Sequence, residues 1–192
     1  MNRAARRRLA KDQAKRTGAA PGGGATGTPH QNLQLGMAHH QAGRLEQAAE
    51  LYQGILARRP DHADANHLLG VVAFQRGRGE DSLRLISRAI DLNPTVAAYH
   101  INLGVPLRML GRLGDCAASY RQAIALKPDN SEAYFNLGNV LHRQGLPEQA
   151  IASFQQAVAH RPDYAEAHHN LGLAYHQSGA IGEAVAALRN TA

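Results

Sequence analysis

The chain has 192 residues, of which 21 are lysine or arginine and 15 are aspartate or glutamate, so its formal net charge is +6. Its only cysteine is Cys116, which excludes an intrachain disulfide, a four-cysteine zinc site and a paired-thiol redox motif. This cysteine usage predicts the reducing cytoplasm as the natural compartment. The start of the chain lacks the apolar core of a signal peptide, and no stretch approaches the roughly 18 apolar residues of a membrane span.

The basic character of the chain comes entirely from a tail at residues 1–28. The other 164 residues hold 14 of the 21 basic groups and 14 of the 15 acidic groups, so they are neutral overall. In the tail, the single acidic residue Asp12 is opposed by Arg3, Arg6, Arg7, Arg8, Lys11, Lys15 and Arg16. We predict a disordered tail that ends in a Gly-rich linker. The alternative is a basic segment that binds a partner, nucleic acid or an anionic membrane surface.

A repeat of 34 residues organises the rest of the chain. It predicts five units, at residues 29–62, 63–96, 97–130, 131–164 and an incomplete 165–192. The closing turns of the complete units contain Pro60, Pro94, Pro128 and Pro162. Three positions of the unit hold one residue type in all five copies: leucine at the seventh, glycine at the eighth and glycine at the fifteenth. In the fourth unit these residues are Leu137, Gly138 and Gly145.

These invariant positions predict two helices in every unit. A leucine that recurs on one helix face must be buried, which stabilises the fold by roughly 1.5–3 kcal/mol. The glycine beside it removes a Cβ and lets a second helix approach closely. The later glycine lies where the helical pattern stops, and glycine accepts the left-handed conformation that ends many helices. A small and then a large apolar residue follow at one-turn spacing, as at Ala150 and Phe154, so each unit should be two antiparallel helices.

At this level of detail the units resemble the tetratricopeptide repeat. That family's pattern of an aromatic residue, Leu-Gly, alanine, phenylalanine and proline is matched by Tyr134, Leu137, Gly138, Ala150, Phe154 and Pro162. The resemblance covers residues 29–192 and implies an all-α fold, a right-handed superhelical α-solenoid of five helix-turn-helix repeats. It says little about function, because the same scaffold binds many unrelated partners.

Three features depart from the regular pattern. The first unit is atypical, with His39 in a position that is otherwise apolar, as expected of a terminal repeat. Pro106 lies inside the first helix of the third unit, where it should cost about 3 kcal/mol or produce a kink that its neighbours tolerate. Pro147, in contrast, suits the start of a second helix. The fifth unit ends at Ala192 without its closing turn, so we expect the natural polypeptide to continue or this end to self-associate or meet another chain.

The sequence contains no motif for catalysis, metal binding or a cofactor. The chain has 11 histidines, but no carboxylate or cysteine completes a ligand set around them, so we interpret them as solvated or packing residues. The glycine-rich stretch at 22–28 lacks the lysine and the preceding strand of a phosphate-binding loop. There is no nucleophile elbow and no carboxylate pair suited to acid-base chemistry. We predict that this chain is not an enzyme and needs no metal and no cofactor.

Asparagines at the sixth position of the last three units predict a binding surface. Asparagine is a moderately poor helix former, so its recurrence needs a reason. At 100° per residue, this position shares a helix face with the second, ninth and thirteenth. A side-chain amide donates and accepts together, so it can pair with a peptide backbone of any sequence. The predicted peptide-binding residues are Asn102, Asn136, Asn170, Asn139, Arg143 and Gln177.

The alternative for these amides is structural, in that they could cap or bridge neighbouring repeats. The Asn-Leu-Gly triplets that begin at Asn102, Asn136 and Asn170 also resemble the repeat region of O-GlcNAc transferases, which implies an asparagine ladder that grips substrate backbones. Gln34 and Leu68 depart from that ladder, and the catalytic domain is absent.

The resemblance to repeats that bind chaperone tails is weaker, because Arg143 is the only cation on the stripe. We predict a protein-interaction scaffold that presents a concave groove to an extended peptide or a partner helix. The alternative function is the substrate-recruiting region of a larger O-GlcNAc-transferase-like glycosyltransferase.

Overall fold

The computed structural model describes residues 27–189, and helices fill this part of the chain. The helices are α1 Pro29–Gln41, α2 Leu45–Arg58, α3 Ala63–Gln75, α4 Gly79–Leu92, α5 Ala97–Met109, α6 Leu113–Leu126, α7 Ser131–Arg143, α8 Pro147–His160, α9 Ala165–Gln177 and α10 Ile181–Arg189. No strand occurs within residues 27–189. We call the odd-numbered helices first helices and the even-numbered ones second helices. The predicted basic tail and most of its linker lie outside the described residues.

The glycine at the fifteenth position ends each first helix, as predicted. Gly111 and Gly145 have φ values of 73° and 74°, in the left-handed region that disfavours other residues. Helix starts are also locally encoded. The Asn130 side chain accepts a hydrogen bond from the backbone N–H of Ala133 at 2.9 Å, which caps α7. Pro147 occupies the first turn of α8, where a missing N–H carries little cost.

The two helices of each unit meet at the glycine of the eighth position. An added Cβ on Gly138 would lie 2.5 Å from Cε1 of Phe154, and one on Gly36 would lie 2.5 Å from Cε1 of Tyr52. Both aromatic side chains are completely buried. The prediction that this glycine permits a close approach of the second helix is therefore confirmed.

Successive helices pack in sequence order and build the predicted all-α solenoid. Each helix contacts its neighbours along the chain, and first helices also touch first helices of adjacent units. The helix pairs α1–α3, α3–α5 and α7–α9 show this contact. At every junction between units, most of the contact is made by the second helix of the preceding unit. Within residues 27–189, every helix is too short or too polar to span a bilayer.

Pro106 does not interrupt its helix. The α5 helix runs through it from Ala97 to Met109, and the proline ring is fully buried. Equivalent positions in other units hold Val72 and Val140, which are also fully buried. Burial of the apolar ring in this core position offsets the loss of one backbone hydrogen bond, so the helix continues through the proline.

The two ends of the array expose positions that are covered inside it. Leu35 in the first unit is 50% exposed, whereas the equivalent Leu137 is 6% exposed. In α10, Ile181 and Val185 are 55% and 47% exposed, because no further helix within residues 27–189 packs against them.

We expect Gly138→Ala to destabilise the fold although alanine is the better helix former. The new methyl group must displace the Phe154 ring, and overpacking of this kind outweighs the helix preference by about 1–2 kcal/mol. Gly114→Ala is the control, since it makes the same substitution in the second helix α6, where an added Cβ meets no atom within 4 Å. Thermal unfolding should show a lower midpoint for Gly138→Ala only. An unchanged or higher midpoint would show that the close approach is not required.

Candidate functional site

Three connected cavities follow the first helices from α3 to α9, and we call them together the first-helix groove. The first cavity, of about 370 Å³, is lined by Phe74, Val105, Arg108, Met109 and Arg143. The second, of about 380 Å³, is lined by Arg108, Tyr120, Phe135, Asn136, Asn139, His142 and Arg143. The third, of about 150 Å³, is lined by Asn139, His142, Phe154, Asn170 and Leu173. Neighbouring cavities share lining residues, so we treat them as one surface.

Four of the six predicted binding residues meet in the first-helix groove. Asn136, Asn139 and Arg143 line it from α7, and Asn170 lines it from α9. Asn102 and Gln177 do not line these cavities. Gln177 is exposed at the end of α9.

The three asparagines of the sixth position have different partners. The Asn102 amide donates to Nε2 of His67 at 2.7 Å, and the Asn170 amide donates to Oδ1 of Asn139 at 2.6 Å. Asn136 makes no side-chain hydrogen bond to any residue within 27–189 and is only partly buried. Two of the amides therefore bridge neighbouring first helices, whereas Asn136 keeps its full hydrogen-bonding capacity for a ligand.

Further polar contacts join first helices and were missed by the sequence analysis. The Tyr99 hydroxyl donates to the Asp64 carboxylate across units, and a side-chain hydrogen bond of 2.9 Å joins His40 to Gln75. Each pair is separated by 35 residues, one more than the repeat. A search for polar pairs at this spacing would have found them, and Asn102 with His67 has the same separation.

A second missed feature ties first helices to the preceding turn. At the fourth position, the Asn66 amide donates to the Pro60 carbonyl at 3.1 Å. His168 bonds the Pro162 carbonyl through its ring nitrogen at 2.9 Å. Histidine can thus serve as a structural tether here. Within residues 27–189, no three His, Cys, Asp or Glu side chains are grouped to hold a metal ion.

The charge of the groove comes from its arginines. Burial raises the pKa of the Tyr120 hydroxyl well above its usual value, so this lining residue is neutral at physiological pH. Burial also raises the pKa of the adjacent Cys116 thiol, so no reactive thiolate lies nearby. Arg108 and Arg143 are exposed and form no ion pair with residues in 27–189.

The His67 ring is buried between α3 and α5. Burial lowers its pKa from 6.5 to about 4, with a smaller lowering by His40 and an opposing effect of Asp64. Its ring packs against Tyr99 with centroids 4.6 Å apart. A neutral ring at physiological pH leaves Nε2 free to accept the hydrogen bond from Asn102.

We expect His67→Gln to remove part of the pH dependence of stability. Unfolded His67 takes up a proton below pH 6.5, whereas folded His67 stays neutral down to about pH 4. Stability should therefore be present above 6.5 and fall towards 4, by up to about 3 kcal/mol for this residue. Urea denaturation of the wild-type protein and the variant at several pH values measures their free energies of unfolding. The stability advantage of the wild-type protein over the variant should become smaller as the pH falls from 6.5 towards 4. Parallel curves would contradict the assignment.

Two family models of the same repeat match this chain. The model described as "TPR repeat" matches residues 107–145 and 148–179. The model described as "Tetratricopeptide repeat" matches residues 33–97. Together the matches span most of the chain. No curated protein matches it at a significant level.

Several solved structures share the fold at low sequence identity. A crystal structure of MamA is 24% identical with a TM-score of 0.76, covering 81% of this chain and 91% of that chain. YrrB, described as a TPR protein with an unusual peptide-binding site, is 20% identical with a TM-score of 0.71, covering 83% and 82%. The pilF protein of Pseudomonas aeruginosa is 21% identical with a TM-score of 0.79, covering 85% and 74%.

These matches lend no support to the predicted resemblance to O-GlcNAc transferases. The part of the chain that they cover is accounted for by repeats, without a sign of a catalytic domain. Periodicity, helix geometry and family models agree, and we conclude that the chain belongs to the tetratricopeptide repeat family.

Proposed function

We propose that the protein is an interaction scaffold that binds an extended segment of a partner protein in the first-helix groove. The observation that carries this proposal is the continuity of the three cavities along the first helices α3, α5, α7 and α9. A surface that follows successive repeats fits a linear ligand better than a compact one.

The polar groups of the groove favour an extended chain over a helix. The side-chain amide of Asn136 has its N–H donors and its carbonyl acceptor available. A peptide backbone that leaves water needs such donors and acceptors for its own polar groups. An extended segment carries unpaired backbone groups on two sides, whereas a helix satisfies nearly all of its own. The amide at Asn136 would therefore recognise backbone without regard to sequence.

Apolar side chains between the polar ones supply the remaining contact. Met109 and Leu173 are 57% and 45% exposed at opposite ends of the groove, and Phe74 and Val105 line the first cavity. Burial of such surface by a ligand stabilises a complex by about 25 cal/mol per Å² before the costs of association. The peptide-binding site named for YrrB, which has the same fold, supports the proposal in general terms.

Asn136→Ala tests the proposal without disturbing the bridges between repeats. Short random peptides selected against the wild-type protein should bind the variant several-fold more weakly, since roughly 1 kcal/mol is lost with each neutral hydrogen bond. The midpoint of thermal unfolding should not fall, because Asn136 has no internal partner and alanine is the better helix former. Fluorescence polarisation with labelled peptides measures the affinity.

Gln122→Ala is the control, because this exposed residue of α6 lies outside the groove and should leave the affinity unchanged. Nuclear magnetic resonance shifts caused by the selected peptides should map to α5, α7 and α9. Shifts confined to the second helices would contradict binding in the first-helix groove.

A further inference from the structure

Two arginines without counterions mark the middle of the first-helix groove. Arg108 comes from α5 and Arg143 from α7, and both line the first and the second cavity. Some arginines of the described chain form ion pairs, such as Arg112 with Asp115 at 2.7 Å and Arg76 with Glu46 at 3.4 Å, whereas others, such as Arg121, form none but lie outside the groove. The two groove arginines make no such pair within residues 27–189.

The surroundings of this pair carry no compensating charge. No aspartate or glutamate lines any of the three cavities. Glu132 lies near enough to raise the pKa of Tyr120 slightly, but it forms no ion pair with either arginine. In addition, Nε2 of His142 is buried and has no hydrogen-bond partner. The wall of the second cavity therefore carries two guanidinium groups and no carboxylate.

We propose that Arg108 and Arg143 form a subsite for the side-chain carboxylate of an aspartate or glutamate in the bound peptide. This inference rests on the proposed function, since it adds a specific contact to the same groove. A guanidinium presents N–H groups in a planar fork that matches a carboxylate. Two guanidiniums from neighbouring repeats provide donors from both sides of the opening between α5 and α7.

The position of the subsite favours an internal side chain over the carboxyl end of a peptide. The groove continues past the arginines towards Phe74 and Val105 on one side and towards Asn170 and Leu173 on the other. A peptide that ended at the arginines would leave one of these arms empty. An internal acidic residue lets the chain occupy both.

The same observations speak against nucleic acid as the ligand of the groove. The 164 residues that follow the tail hold equal numbers of acidic and basic groups, so the positive charge is local. Nucleic-acid binding draws on a broad basic surface that contacts many phosphates. Two arginines set among amide and apolar side chains match a single carboxylate better.

Peptide pools with one fixed central residue test the subsite in the full chain. The pools carry random flanks, amidated carboxyl ends and a central glutamate, glutamine or phosphoserine, and fluorescence polarisation measures their affinity. The glutamate pool should bind about fivefold to tenfold more tightly than the glutamine pool, because each exposed charge pair contributes modestly. Added salt should reduce this advantage.

The Arg108→Gln, Arg143→Gln double variant should lose the preference for glutamate, so that its affinities for the glutamate and glutamine pools become equal. Arg121→Gln removes the same charge from an exposed position of α6 outside the groove and should keep the preference. Thermal unfolding checks that each variant is folded. If the double variant does not fold, the two single variants are compared with the wild-type protein for their preference between the glutamate and glutamine pools.

Each contrary outcome has a distinct meaning. Equal affinity for glutamate and glutamine pools would overturn the subsite and leave the proposed function standing. Failure of every pool to bind a folded protein would overturn both. If the phosphoserine pool binds much more tightly than the glutamate pool, the subsite binds a phosphate group and the carboxylate assignment is wrong. A further glutamine pool, made with free carboxyl ends, tests the position of the bound group. If this pool binds as tightly as the glutamate pool, the arginines bind the carboxyl end of the peptide and not an internal side chain.

Discussion

The contact between the glycine of each first helix and the large side chain of the following second helix is the constraint on which the structure depends. At Gly138 a Cβ would overlap the Phe154 ring, so the two helices can lie this close only without it. The second helix therefore always covers the glycine face of the first. The face of the sixth and ninth positions points elsewhere on the helix and is left to form the groove.

Polar side chains of the first helices join neighbouring units at some junctions and have no internal partner at others. Between α3 and α5, Asp64 bonds Tyr99 and His67 bonds Asn102, so polar groups there hold units together. On α7, Asn136 has no such bond to residues in 27–189. Unsatisfied amide and guanidinium groups next to partly buried apolar surface are costly unless water or a ligand pairs with them. The proposed peptide contacts depend on the polar groups that remain unpaired at the opening between the third and fourth units.

The sequence predicted the fold well because its signals are local or repeat at a fixed interval. Gly145 marks a helix end through its own backbone preference, and Gly138 with Phe154 marks a packing contact within one unit. Partners across units were harder to predict. Asn102 bonds His67 because of the angular relation between neighbouring helices, which no single-helix pattern contains. Arg108 was missed because the twelfth position lies beside the predicted stripe, and its proximity to Arg143 depends on how two units stack.

The amide of Asn136 and the arginine pair would contribute differently to peptide binding. The amide would recognise the peptide backbone, and the arginine pair would recognise one carboxylate. Backbone recognition alone is the same at every residue of the ligand, so the peptide could shift along the groove without losing the contact to Asn136. One carboxylate held between Arg108 and Arg143 would end this freedom, because any shift would separate the charges. Affinity would then come largely from backbone and apolar contacts, while the arginine pair would determine which segment binds and in which register.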